Sequence, residues 1–175
     1  MPGKSTRSPK SKKQRDTTTD STDAIAVLEN DHRDVETLFE RYDAADGVSD
    51  RRELARAICI ALKVHATIEE QLFYPAAMEA TGQSDLLLEA MVEHASAKDL
   101  IAQIEAGSPD DPLFSARVTV LREYVAHHVS EEEDELFPLC RDSGMELTAL
   151  GDALLLRKQA LLAGMAVPNP VLLLL

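Results

Sequence analysis

Two copies of one pattern, roughly 63 residues apart, set the histidines of this chain in helical register and leave few folds open to it. The first copy is His32 followed by HATIEEQLFYP from His65; the second is His94 followed by HVSEEEDELFP from His128. His32 to His94 spans 62 residues, while His65 to His128, Glu69 to Glu132 and Pro75 to Pro138 each span 63. Four of the five histidines belong to this repeat, so their placement is patterned rather than scattered.

The surrounding residues carry helical periodicity, with few alternating runs of β-branched or aromatic side chains. Ile25, Leu28, His32, Val35 and Phe39 share one face of a first helix, which starts after Ser21-Thr22-Asp23 and ends near Asp46-Gly47. Asp50 and Glu53 have capping-box spacing for a second helix with inward face Ile58, Leu62, His65, Glu69 and Leu72. A third, marked by Leu87, Met91, His94 and Ile101, stops at Gly107-Ser108-Pro109. Asp111-Pro112 opens a fourth, lined by Leu121, Val125, His128, Glu132 and Leu136 and closed by Ser143-Gly144. A Leu/Ala-rich segment from about Met145 to Ala163 reads as a fifth helix packed across the others. The expected fold is all-α: an up-down-up-down antiparallel four-helix bundle with an additional C-terminal helix. Pro75 and Pro138, each ten residues past a histidine, are expected to kink or end their helices.

At 175 residues the chain suits one domain with a self-sufficient core. Three regions are expected: a disordered basic arm over 1–22, the bundle over 23–143, and the C-terminal helix with an apolar tail over 144–175. The net charge is −13, but the arm carries six basic side chains against two acidic ones, so the remainder holds about −17. A surface so acidic disfavours nucleic acid as the main partner. The basic arm and the terminal VLLLL are the places where a protein partner would dock; VLLLL reads equally as a frayed end or an expression remnant. No run of about 18 apolar residues suggests a membrane span, and the arm lacks the apolar core of a secretion signal. Cys59 and Cys140 fit no metal or redox spacing and read as reduced thiols, so a cytoplasmic location is the expectation.

Histidine and glutamate four residues apart share a helix face, with Cβ atoms roughly 5–6 Å apart. His65 with Glu69, and His128 with Glu132, can therefore aim at one point. Four imidazoles and two carboxylates inside an apolar bundle are costly unless their lone pairs and charge are satisfied. A pair of metal ions does both, with terminal imidazoles and bridging carboxylates. The expected ligands are His32, His65, Glu69, His94, His128 and Glu132. Mixed nitrogen and oxygen ligation suits iron, with zinc or manganese behind it, and not calcium or copper(I). Two histidines, two carboxylate oxygens and a bridging oxide or hydroxide give each ion five ligands, leaving one position for dioxygen, peroxide or nitric oxide.

Several neighbours carry a second reading. His127 competes with His128, and Glu131 with Glu132, but the repeat register favours the latter of each pair. Glu36 follows His32 by four residues, yet the second copy has Lys98 at that place. Glu70, Glu133, Asp134 and Glu135 read as a solvated acidic face. Tyr124, one turn before His128, either packs at the boundary or reaches a bound ligand. Leu62, Leu87 and Met91 are expected to line the core and keep the site dry.

DHRDVETLF around His32, H-x-x-x-E-E-x-L-F-x-P from His65, Glu-His at His94 and H-x-x-x-E-E-x-E-L-F-P from His128 together resemble the hemerythrin-like, HHE cation-binding family. The resemblance covers roughly residues 24–142. It implies a four-helix bundle around a non-haem di-iron centre, in proteins that bind oxygen, sense oxygen, redox state or iron, or react with peroxide and nitric oxide. Oxygen-carrying members have a second histidine four residues after the one on the third helix; here that residue is Lys98. Lys98 either donates to an iron-bound species or snorkels to the surface, and the missing histidine favours sensing or oxidative chemistry over oxygen transport.

The leading expectation is a di-iron protein that binds or senses oxygen, nitric oxide or iron. The alternative is an enzyme that consumes hydrogen peroxide or oxidises ferrous iron. A ferritin-like oxidase needs two Glu-x-x-His motifs, and only Glu29 with His32 has that spacing. A zinc-stabilised structural module shares the ligand types.

Overall fold

Two of the described helices begin on an aspartate whose carboxylate caps the first turn. A computed structural model of the chain describes residues 23–165. The expectations for the basic arm and for the VLLLL tail lie outside the described residues. Helix α1 (Ala24–Ala44) is capped by Asp23, whose carboxylate accepts from Ile25 N and Ala26 N at 2.8 and 3.2 Å. Helix α2 (Val48–Ile68) starts after Gly47 with no side-chain cap, so the expected Asp50–Glu53 box does not form: the cap lies three residues earlier, which puts Asp50 inside the first turn. Helix α3 (Tyr74–Thr81) ends on Gly82, whose φ of 68° suits a residue without Cβ. Helix α4 (Ser84–Ala106) and helix α5 (Pro112–Glu131) follow. Asp111 caps α5 through Leu113 N at 2.9 Å, with Pro112 in the first turn. Helix α6 (Phe137–Asp142) completes the second long rod, and α7 (Leu147–Gly164) packs over α1 and α2.

The two prolines do not stop their helices. Between α2 and α3 the backbone widens into a π-helical turn at Glu69–Phe73, where Tyr74 N donates to Glu69 O across five residues. The same turn, Glu132–Leu136, joins α5 to α6, with Phe137 N bonded to Glu132 O. A proline lacks the N–H that its i−4 carbonyl needs and its ring crowds that carbonyl; one wide turn absorbs both problems and the helix continues. Both wide turns begin on a glutamate of the repeat. They also shift the register beyond it, so that Phe73 is fully buried while Leu72, expected inward, is only half-buried.

The architecture is an all-α, antiparallel four-helix bundle, with α1 paired to α2 and α4 to α5, plus α7 laid across the first hairpin. Its apolar interior forms two separate clusters. One gathers Val35, Phe39, Ile58, Leu62, Ile101 and Leu121; the other gathers Ile25, Leu28, Phe73, Leu87, Phe137 and Leu154. At about 1.5–3 kcal/mol for each such side chain fully buried, these clusters supply most of the driving force for folding. The four repeat histidines and two glutamates are also buried, and they belong to neither cluster. Met91 departs from expectation: it lies one position off the inward face of α4, which runs through Leu87, Ala90, His94 and Ile101, and it is exposed. No helix among the described residues is long and apolar enough to cross a membrane.

Candidate metal centre

His32 comes from α1, His65 from α2, His94 from α4 and His128 from α5, and all four present Nε2 to one place. Within the first hairpin, His32 Nε2 and His65 Nε2 lie 3.1 Å apart; within the second, His94 Nε2 and His128 Nε2 lie 3.0 Å apart. The glutamates join these two imidazole pairs. Glu69 Oε2 is 3.2 Å from His65 Nε2 on its own helix and 3.4 Å from His94 Nε2 in the other hairpin. Glu132 Oε2 is 3.6 Å from His128 Nε2 and 3.4 Å from His32 Nε2. All six expected side chains thus converge, in two overlapping donor groups: His32, His65, Glu69 and Glu132, and Glu69, His94 and His128.

The donor spacing fits a cation. Bonds of about 2.1 Å place neighbouring donors about 3.0 Å apart in an octahedron and about 3.4 Å apart in a tetrahedron. Among the described residues, both oxygens of Glu69, Glu132 Oε2 and His65 Nδ1 are buried with no hydrogen-bond partner. Carboxylate oxygens at 0% exposure without hydrogen-bond partners, as at Glu69, are costly to bury, and a metal ion removes that cost. Burial opposes charge on Glu69, but His65 and then His94 beside it prevail and hold the carboxyl well below its usual range. His65 is correspondingly pushed well above the ordinary imidazole value: burial opposes its proton, and the charges of Glu69 and Asp31 overcome that opposition. A dication at this place would take over the charge balance that the proton supplies.

A second layer of acids faces the four Nδ1 atoms and hydrogen-bonds three of them. His32 is held by Glu133 at 2.8 Å and His94 by Glu70 at 3.0 Å, each acid coming from the opposite hairpin. His128 is held by Glu93 at 2.8 Å, and His65 faces Asp31 at 3.5 Å, each within its own hairpin. An anchored Nδ1–H directs the Nε2 lone pair inward and raises its basicity. Glu70 and Glu133 are therefore not the solvated face expected of them, although Asp134 and Glu135 are exposed. Asp31 and Glu93 were not anticipated; their signal was the repeat itself, since each immediately precedes a histidine of the repeat in its copy.

The remaining candidates separate cleanly. His127 has a side chain 64% exposed, on the outside of α5, whereas His128 is buried. Glu36 stays on the surface beside Arg33. Lys98 sends its ammonium to Glu70 rather than inward. Tyr124 is about half exposed at the edge of the site. Tyr74 was missed: its buried hydroxyl donates to Glu132 Oε1 at 2.9 Å and lies 3.3 Å from His94 Nε2, and its ring stacks on His94. Burial, reinforced by Glu69 and Glu132, pushes the Tyr74 phenol well above its usual value, so it remains a proton donor. The matching residue of the second copy is Phe137, which stacks on His32 and has no hydroxyl to offer.

A cavity of about 40 Å³ adjoins the four histidines, lined also by Val35, Leu62, Ile101 and Val125. By volume it holds a molecule of a few atoms.

A curated relative from Nostoc sp. strain PCC 7120, named a DNA nickase, is 33% identical over 117 residues, covering 67% of this chain. The chain spans about one third (33%) of the length of that protein. The crystal structure of a Hemerythrin HHE cation binding domain-containing protein from Mycobacterium kansasii superposes with a TM-score of 0.72 at 22% identity, covering 86% of this chain and 97% of that one, and so shares the fold. The Hemerythrin HHE cation binding domain description itself matches residues 23–140. With that match over most of its length, and with buried histidine and glutamate clusters fit to hold a cation, the chain belongs to the hemerythrin-like, HHE cation-binding family.

Proposed function

We propose that the chain is a non-haem di-iron protein that binds or senses a small molecule such as oxygen or nitric oxide, or iron itself, with His32, His65, Glu69, His94, His128 and Glu132 as ligands. The observation that carries this reading is the sharing of each glutamate between the two imidazole pairs. Two ions side by side would use every inward lone pair, whereas a single ion would leave one pair of imidazoles without a role. Iron would supply reversible redox change and affinity for diatomic ligands. The chain's own part is to fix four Nε2 atoms through outer carboxylates and to keep bulk water away with the apolar walls of the cavity.

The cavity supports small ligands over large ones. A chain of net charge −13 also repels polyanions. The chain matches only 33% of the Nostoc relative, so the nicking activity in that protein's name is not carried over to it.

One experiment decides: metal content per chain, with the visible spectrum recorded anaerobically and after addition of oxygen or nitric oxide. Two irons per chain and a spectral change are expected. One zinc and a blank spectrum would refute the proposal.

Tyr74 favours a second reading, turnover of peroxide or oxidation of ferrous iron. A buried neutral O–H beside Glu132 is a proton source that simple ligand binding does not need. Oxygen evolution from hydrogen peroxide, lost in Glu69→Ala and Glu132→Ala, is its signature; turnover no faster than free iron excludes it.

A further inference from the structure

Each of the four acids that face an Nδ1 atom has a second partner on its outer side. Asp31 pairs with Lys158, Glu70 with Lys98 and Glu133 with Arg33, all permanent cations. Glu93 alone differs. Its Oε2 holds His128 Nδ1, and its Oε1 faces His127 Nε2 at 3.6 Å. His127 Nε2 in turn lies 3.3 Å from Glu131 Oε1, one turn further along α5. Where the other three positions carry lysine or arginine, this one carries a set of metal donors.

We infer that Glu93, His127 and Glu131 form a third, solvent-facing divalent-cation site on the seam between α4 and α5, outside the buried centre. The three donor atoms lie within 4.8 Å of one another. Separations of 3.3 and 3.6 Å bracket the edge of about 3.4 Å expected for a tetrahedron with bonds of about 2.1 Å. The exposed imidazole leaves the fourth vertex to water. One nitrogen and two carboxylate oxygens select a first-row dication such as zinc, cobalt(II) or ferrous iron over calcium or magnesium. Two carboxylates also match the charge of a dication. The device belongs to the second copy alone: at the matching places the first copy has Val64 and Ile68, both buried.

A protonated His127 would balance part of the same charge without any metal, and the test separates the two. Cobalt(II) is titrated into the metal-free full-length chain and followed through its visible ligand-field bands, in the native protein and in Glu69→Gln/Glu132→Gln, which removes the bridging carboxylates of the buried centre. An additional cobalt equivalent, weaker than those of the centre, is expected in the native chain and should persist in the double variant. It should vanish in His127→Lys, which keeps a cation but loses the ligand, and in Glu131→Gln, with helix content unchanged. The same cobalt stoichiometry in native and His127→Lys protein would overturn the inference. Because the surface site is read as the cobalt lost between native and His127→Lys protein, failure of the buried centre to hold iron would leave the result intact.

Discussion

Replacing Tyr74 by phenylalanine tests whether the centre is built around a carboxylate waiting for metal. The substitution deletes one buried hydroxyl and opens almost no space, and Phe137 already fills the matching position of the second copy. It removes the 2.9 Å bond to Glu132 Oε1. Glu132 Oε2 already lacks a partner, so the metal-free variant buries a carboxylate with neither oxygen hydrogen-bonded. A hydrogen bond to a charged group contributes about 1.5–3 kcal/mol, and an orphaned acceptor costs a similar amount, so a loss of about 2 kcal/mol is expected. For a domain of this size that lowers Tm by about 4–8 °C. Metal changes the sum: a cation takes Glu132's lone pairs, and the loss should fall to less than about half in loaded protein. Thermal unfolding by circular dichroism, on chelator-treated and metal-loaded samples at one concentration, reads both numbers. A metal-free variant melting within about 1 °C of native, or an equal fall in both states, would refute the reasoning.

Val125→Phe, which fills the cavity beside the histidines, should slow nitric oxide binding in stopped-flow mixing while metal content stays native; unchanged kinetics would mean that ligands enter elsewhere. Lys158→Met removes the cation from buried Asp31 and so loosens His65; metal should dissociate about 10–100-fold faster to a chelator, with Lys158→Arg partly restoring retention. The Asp111 carboxyl is held below the usual carboxylate range by the Leu113 N–H and then by Arg117. Its contribution is therefore whole above the unfolded pKa and is lost as pH falls through the folded one, so the Tm gap between native and Asp111→Asn should close below about pH 4. Burial pushes the Cys59 thiol up to about 12 and the Cys140 thiol to about 11, so neither should react with a thiol reagent at about pH 8 until denaturant is added.

The convergence of the six side chains was legible in the sequence because it rests on two coupled periodicities: i to i+4 along a helix, and the step of 62 or 63 residues between copies. Either alone is weak, but together they place six residues at one depth in a bundle and prefer His128 to His127. What escaped the reading depends on geometry finer than helical period. Asp31 and Glu93 are each adjacent to a histidine of the repeat, about 100° round the helix, and only the tight packing of α1 on α2 and of α4 on α5 turns them toward the neighbouring helix's imidazole. Tyr74 is inward only because the π-helical turn adds a residue ahead of it; on an unbroken α-helix its direction would differ by about 100°. Met91 shows the opposite failure. It suits an apolar face by composition, but small Ala90 sits nearer the axis of that face and lets the helices approach.

The wiring across the hairpins bears on ancestry. Neither half is self-sufficient: each supplies two imidazoles and one inward carboxylate, and His32 and His94 each take their Nδ1 acceptor from the other half. A single helical hairpin of this kind, standing before any gene duplication, could have assembled the centre only by pairing with a second copy of itself about a two-fold axis. Fusion would then have freed the two halves to diverge without separating. The unmatched pair Tyr74 and Phe137 is the kind of difference that a symmetric ancestor could not have carried. A chain cut between Gly82 and Gln83 should accordingly give two fragments that associate when metal is present and drift apart when it is chelated.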